Sequence, residues 1–138
     1  MMKTVLFACV HNAGRSQIAA AFFNAMADPS TVCALSAGTE PAERVHPAVV
    51  EAMREVGIDL SHVKPRLLTP ELAAGVHMLV TMGCGEACPV VPRARRADWP
   101  LSDPQGQPLE QVRAIRDEIQ ERVRKLIAAE GWDQSKRE

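Results

Sequence analysis

Apolar and polar residues follow one another along the chain in blocks, and the blocks change period. Thr4 to Cys9 (TVLFAC) is a short, almost continuous apolar run, the pattern of a strand buried on both faces. A polar stretch, VHNAGRS, follows it. Ile18, Phe22 and Met26 then recur four apart, with Ala19 and Phe23 beside them, which is one stripe of a helix. Asp28-Pro29-Ser30 ends that helix. Thr31 to Ser36 (TVCALS) predicts a second strand, stopped by Ala37-Gly38. Pro47 opens a second helix with Val49, Met53 and Val56 on one side, and Gly57 stands where a C′ glycine belongs. Thr69-Pro70-Glu71 reads as a helix start: a capping hydroxyl, proline at the first helical position, then an acid. That helix is expected to be short, ending near Gly75. His77 to Met82 predicts a third strand. Ala97 to Leu101 predicts a fourth, pushed to an edge by Pro100. In the last helix Val112, Ile115, Ile119, Val123 and Leu126 recur at gaps of three, four, four and three. Strands alternating with helices imply an α/β fold, a parallel sheet covered on both faces.

The 138 residues fit one domain, read as residues 1–131 followed by a polar tail, 132–138. Apolar residues make up 46% and charged residues 24%, enough for a core and too few apolar runs for a membrane span. Net charge is −1 and aromatics are 4%, which argues against general attachment to nucleic acid or anionic membrane. Only Lys3 precedes the first apolar run, and His11 and Asn12 interrupt it, so a secretory signal is not expected. The expected location is the cytoplasm. There Cys9, Cys33, Cys84 and Cys88 rest as thiols, and chemistry is a more frequent role for them than a structural disulfide.

The richest segment is Cys9-Val10-His11-Asn12-Ala13-Gly14-Arg15-Ser16. It joins the carboxyl end of a strand to the start of a helix, the place where open α/β sheets bind ligands. Free N–H groups and the helix macrodipole favour an anion there. Five residues between Cys9 and Arg15 make a loop able to curl its amides around one tetrahedral oxyanion, which Arg15 closes with a forked contact. Gly14 permits a close or left-handed backbone. Cys9 is then aimed at the central atom of the bound oxyanion, and thiolate is its reactive form. There is no Gly-Lys-Ser/Thr, so this is not a Walker loop.

Cys-x-x-Asn-x-x-Arg-Ser after an N-terminal strand resembles the low-molecular-weight protein tyrosine phosphatase superfamily, and so does Asp103-Pro104 in a late loop. The pair Cys84 and Cys88 resembles the thioredoxin-coupled arsenate reductases of that superfamily. So do the segments HNAGRSQIAAAF, SAGTEP, EAMREVGIDLS, VTMGCGEACP and RDEI, and the likeness runs from about Thr4 to Ile127. The resemblance implies a three-layer sandwich around a mostly parallel four-stranded sheet. It implies reduction of arsenate to arsenite, with arsenate or a phosphate-like oxyanion held by His11, Asn12, Ala13, Gly14, Arg15 and Ser16. Cys9 would be the nucleophile and Asp103 the acid for the departing oxygen. Asn12 would brace the loop, and Ser16 would donate to the thiolate. Cys84 would attack Cys9 to release arsenite, and Cys88 would attack Cys84, a relay of thiol–disulfide exchange. The implied reductant is thioredoxin, or a low-molecular-weight thiol with a glutaredoxin-like protein. No cofactor is implied.

The chain departs from the pattern in three places. Gly14 stands where many members have cysteine. Three residues separate Cys84 from Cys88, where the best-known members have six. Ala20 stands where some members bind potassium through a glutamate, so no metal site is expected. The Cys84/Cys88 spacing also fits a zinc site, but no second close Cys or His pair completes one. The alternative activity is hydrolysis of phosphotyrosine or a small phosphate ester on the same loop. Gln105, rather than an aromatic residue, follows Pro104 and weakens it. Cys33 is read as a core residue. His46, His62 and His77 are read as structural or exposed, and His11 either adds positive charge to the loop or varies neutrally. Arg93, Arg95 and Arg96 are read as a solvated basic loop.

Overall fold

A computed structural model describes residues 2–83 and 94–133. Its elements run β1 (Lys3–Cys9), α1 (Arg15–Met26), β2 (Val32–Gly38), α2 (Pro47–Arg54), α3 (Pro70–Ala73), β3 (Met78–Thr81), β4 (Arg95–Asp98) and α4 (Leu109–Glu130). The four strands form one sheet in the order β2-β1-β3-β4, and every neighbouring pair is parallel. The chain leaves β1 for β2 on one side and then crosses to β3 on the other. The carboxyl end of β1 is therefore the point where the strand order reverses, the expected place for a ligand crevice.

Alternation along the strands sends side chains to two unequal layers. Val5, Phe7, Ala34, Met78 and Val80 face α1, α2 and α4, where Ile18, Phe23, Val49, Met53, Ile115 and Ile119 complete the main core. Phe7, Phe23, Trp99 and Trp132 form a chain of ring contacts through it, with centroids 5.6–5.9 Å apart. Leu6, Ala8, Ala37 and Leu79 point the other way, onto the short α3 and its flanks, with Ala73 and Val76. Cys33 lies on that thinner side, next to Thr4, and is half-buried rather than in the core.

The helix punctuation follows local chemistry. Thr69 Oγ1 accepts the Leu72 N–H at 3.1 Å, and Pro70 opens α3. Gly57 (φ 84) and Gly131 (φ 74) end α2 and α4 in the same way. Ile58 N–H donates to the Met53 carbonyl and Trp132 N–H to that of Ile127, each across a left-handed glycine. The latter contact corrects the expected tail boundary. Trp132 is buried, its carbonyl accepts the Asp28 N–H at 2.8 Å, and Asp133 bridges Ala27, so these two residues belong to the packed unit.

Two further expectations change. The fourth strand lies at Arg95–Asp98, earlier than the apolar pattern placed it, and pairs in register with Met78–Thr81. It is an edge strand, and charged residues are ordinary there because one flank meets water. Trp99 and Pro100 follow it, and Pro100 has no N–H to extend the ladder. Arg95 and Arg96 are thus strand residues, and Arg95 donates to both carboxylate oxygens of Glu130 at 2.6 and 2.9 Å. Arg93 lies outside the described residues.

Candidate active site

The loop from Val10 to Gly14 is shaped by what its carbonyls bind. Those of Cys9, Val10, His11 and Ala13 accept N–H groups from Thr39, Glu40, Ala42 and His46, at 3.2, 2.8, 3.0 and 2.9 Å. The Gly14 carbonyl accepts the Ile18 N–H and starts α1. With the carbonyls turned outward, the N–H groups turn inward. Those from His11 to Arg15 have no acceptor among the described residues. A cup of peptide dipoles at a helix N-terminus results, and Cys9 forms its floor at 2% exposure.

Asn12 holds the curl. It is the one non-glycine with positive φ (50°) among the described residues, a conformation asparagine tolerates better than most. Its amide orientation is unambiguous, because Oδ1 accepts the backbone N–H of Arg66 at 3.0 Å and Gln17 Nε2 at 3.1 Å. Nδ2 therefore donates, and its acceptor is Ser16 Oγ at 2.7 Å. Ser16 Oγ in turn lies 2.8 Å from Cys9 Sγ. Asn12 and Ser16 are fully buried.

Gly14 is not left-handed (φ −146°), but its lack of a side chain is required. A Cβ there would stand 2.7 Å from Pro104 Cγ. The close packing sets Asp103-Pro104 against the loop. Arg15 reaches the same place from α1. Its Nη1 donates to the Leu101 carbonyl at 3.2 Å, and its Nη2 lies 3.6 Å from Asp103 Oδ2. The Arg15 side chain is nearly buried and that of Asp103 partly exposed, so the pair marks the mouth of the cup.

The structure thus brings together Cys9, Asn12, Ala13, Gly14, Arg15, Ser16 and Asp103. His11 turns outward, with Nδ1 3.1 Å from the Glu40 carbonyl oxygen. Cys84 and Cys88 lie outside the described residues. His46, read from sequence as structural or exposed, is half-buried beside the loop. Burial holds its imidazole below the ordinary histidine value, the Asp103 charge raises it, and His11 lowers it. Its only sequence signal was its place immediately before Pro47 at the α2 start. Among the described residues no group of three or more His, Cys, Asp or Glu could hold a metal ion, and no helix is long and apolar enough to cross a membrane.

Comparison with known proteins agrees with this geometry. Residues 4–136 match the family described as low molecular weight phosphotyrosine protein phosphatase. A Halobacterium salinarum protein provisionally described as an arsenate reductase is 42% identical over 121 residues, 85% of each chain. A glutaredoxin arsenate reductase of Synechocystis is 37% identical over 130 residues, covering 92% of this chain and 98% of that one. The solved structure of a thioredoxin-dependent arsenate reductase from Corynebacterium glutamicum superimposes with a TM-score of 0.79 at 38% identity. The likeness covers 93% of this chain and only 61% of that longer one.

Proposed function

The chain belongs to the low molecular weight phosphotyrosine protein phosphatase family, and within that family we propose that it is an arsenate reductase that converts arsenate to arsenite. The observation that carries the reading is the cup itself: inward N–H groups over a buried Cys9, with Arg15 and Asp103 at its mouth. That arrangement suits any tetrahedral oxyanion. The choice of arsenate draws support from relatives at 42% and 37% identity and from Cys84 and Cys88 in the sequence.

Arsenate settles on the loop amides and the Arg15 fork. The Cys9 thiolate attacks arsenic and a sulfur–arsenic bond forms. One arsenate oxygen departs with a proton supplied by Asp103. The Cys84 thiolate then attacks Cys9 Sγ. A Cys9–Cys84 disulfide forms as the sulfur–arsenic bond breaks, and its electron pair stays on arsenic, which leaves as arsenite. Cys88 attacks Cys84, frees Cys9 and leaves a Cys84–Cys88 disulfide. An external dithiol supplies the two electrons that reopen it. Thioredoxin is the reductant this scheme favours, because a relay ending in an internal disulfide presents the substrate that a dithiol protein accepts. A low-molecular-weight thiol with a glutaredoxin-like protein is the other candidate, and the Synechocystis relative bears that name.

The second reading, a phosphatase, is favoured by the family description. Against it, Gln105 occupies the position after Pro104, and the chain contains no tyrosine to grip an aromatic ring. The deciding experiment follows arsenate-dependent NADPH oxidation with thioredoxin and thioredoxin reductase, repeated with the low-molecular-weight-thiol system and with a phosphotyrosine analogue. Turnover of arsenate with either reductant supports the reading. Hydrolysis of the ester without arsenate reduction in either system overturns it.

A further inference from the structure

Gly83 follows β3 with φ +100°, and the space beside it is filled by Arg15. A Cβ at Gly83 would lie 2.2 Å from Arg15 Nη1, 3.2 Å from Cζ and 3.6 Å from Nη2. On its other sides the guanidinium meets the Leu101 carbonyl at 3.2 Å and Asp103 at 3.6 Å. We propose that Gly83 is a positioning residue for oxyanion binding: its bare backbone is one wall of the seat that aims the Arg15 fork at the cup. This rests on reading Arg15 as the residue that grips the oxyanion.

The physical case turns on which partner gives way when a side chain is placed there. The backbone before Gly83 is pinned, since Met82 is fully buried and its N–H donates to the Ala8 carbonyl at 2.7 Å. Arg15 meets the clash with the far end of a flexible side chain. The guanidinium therefore moves, and it leaves Leu101 and Asp103 as it goes. The other tight glycines of the site behave differently. A Cβ at Gly38 would strike the backbone of Val10 and Asn12 at 2.5 and 2.8 Å, and one at Gly14 would strike the Pro104 ring. Substitution there distorts the loop itself. At Gly83 a side chain also strains the backbone, at φ +100°, but every atom it strikes belongs to Arg15, so the change within the site is in the aim of the arginine.

The test measures inorganic phosphate binding by calorimetry to the reduced full-length protein, with arsenate kinetics in parallel. The proteins are wild type, Gly83→Ala, Gly83→Asn, Arg15→Lys and the double variant Gly83→Ala/Arg15→Lys. Asparagine tolerates positive φ better than alanine, so the pair separates backbone preference from the clash. Loss of a charge-assisted, forked contact predicts a phosphate Kd raised about tenfold or more in both Gly83 variants. The arsenate KM should follow, with kcat changing much less. In the Arg15→Lys background, Gly83→Ala should change Kd by less than about twofold, because the two residues act through one contact. An unchanged Kd in either Gly83 variant overturns the proposal, as does an equal loss with and without Arg15. Failure of both variants to fold also overturns it, since the clash it invokes is relieved by one side chain. If wild type does not bind phosphate, or Arg15→Lys binds as wild type does, the reading of Arg15 fails and the proposal falls with it.

Discussion

Ser16 Oγ stands 2.8 Å from Cys9 Sγ, and Asn12 Nδ2 holds it there from the other side at 2.7 Å. Asn12 Nδ2 donates to Ser16 Oγ, and when Cys9 is the thiolate its sulfur can only accept, so the Ser16 hydroxyl donates to it. Ser16→Ala is expected to keep the fold and slow iodoacetamide alkylation of Cys9 at pH 7. Asn12→Ala is expected to be far more damaging. It removes the donor to Ser16 Oγ and the side-chain acceptor of Gln17 Nε2 and of the Arg66 N–H, interactions worth about 0.5–1.5 kcal/mol each, and puts alanine at positive φ. Urea unfolding of the two variants checks the order; equal stability would show that Asn12 does not brace the loop.

Asp103 approaches the cup through Arg15 and through the packing of Pro104 on Gly14. As a general acid it should contribute about 10²–10⁴-fold to formation of the arsenate adduct. Asp103→Asn is expected to slow single-turnover adduct formation by that order while leaving exchange among the thiols intact. Unchanged single-turnover kinetics would remove Asp103 from the chemistry.

The relay makes an ordered prediction. Cys9→Ser should abolish turnover, since it removes the nucleophile. Cys88→Ser should trap a Cys9–Cys84 disulfide after one arsenate pulse, and Cys84→Ser should stop before any internal disulfide forms. Peptide mapping distinguishes these species. A Cys9–Cys88 bond in the wild type would reverse the order of the two cysteines.

Glu55 binds α2 to α4. Its carboxylate accepts from Arg113 Nη2 at 2.6 Å and from Arg116 Nη1 at 2.8 Å, and these bonds pull its pKa down from 4.5 to about 2. A carboxyl depressed in the folded state stabilises the fold above its unfolded value and loses that contribution as pH falls. Glu55→Gln should therefore be less stable than wild type at pH 7. The gap should narrow below about pH 4.5 and close near pH 2, as followed by urea unfolding across that range. A gap independent of pH would assign the effect to packing alone.

His46 should titrate below 6.5, because burial opposes its charge. Asp103→Asn should lower its midpoint further by removing a favourable charge, and His11→Asn should raise it. Imidazole resonances followed by NMR give both directions. A midpoint that rises in Asp103→Asn would contradict the arrangement around the loop.

Much of this protein could be read from residues near one another in the chain. The Thr69 cap, the Gly57 stop and the α4 stripe all depend on contacts within a turn or two, and such contacts repeat whenever the local sequence does. The place of the anion cup was legible as a strand end, five loop residues and a helix start, whereas its curl is held by N–H groups of Thr39, Glu40, Ala42, His46 and Arg66 from later in the chain. Partners distant in sequence were not legible. Arg95–Asp98 pairs as an edge strand because β3 offers it a ladder, and its charged side chains carry no apolar pattern. Cys33 is half-buried because its face of the sheet meets only the short α3. Trp132 is core because Phe23 and the Asp28 N–H meet it. The seat of Arg15, built from Gly83, Leu101 and Asp103, and the place of His46 beside Asp103 arise only when β1, β3 and the late loops are assembled around the strand-order reversal. Packing decides such contacts, and it acts between surfaces whose proximity no local pattern encodes.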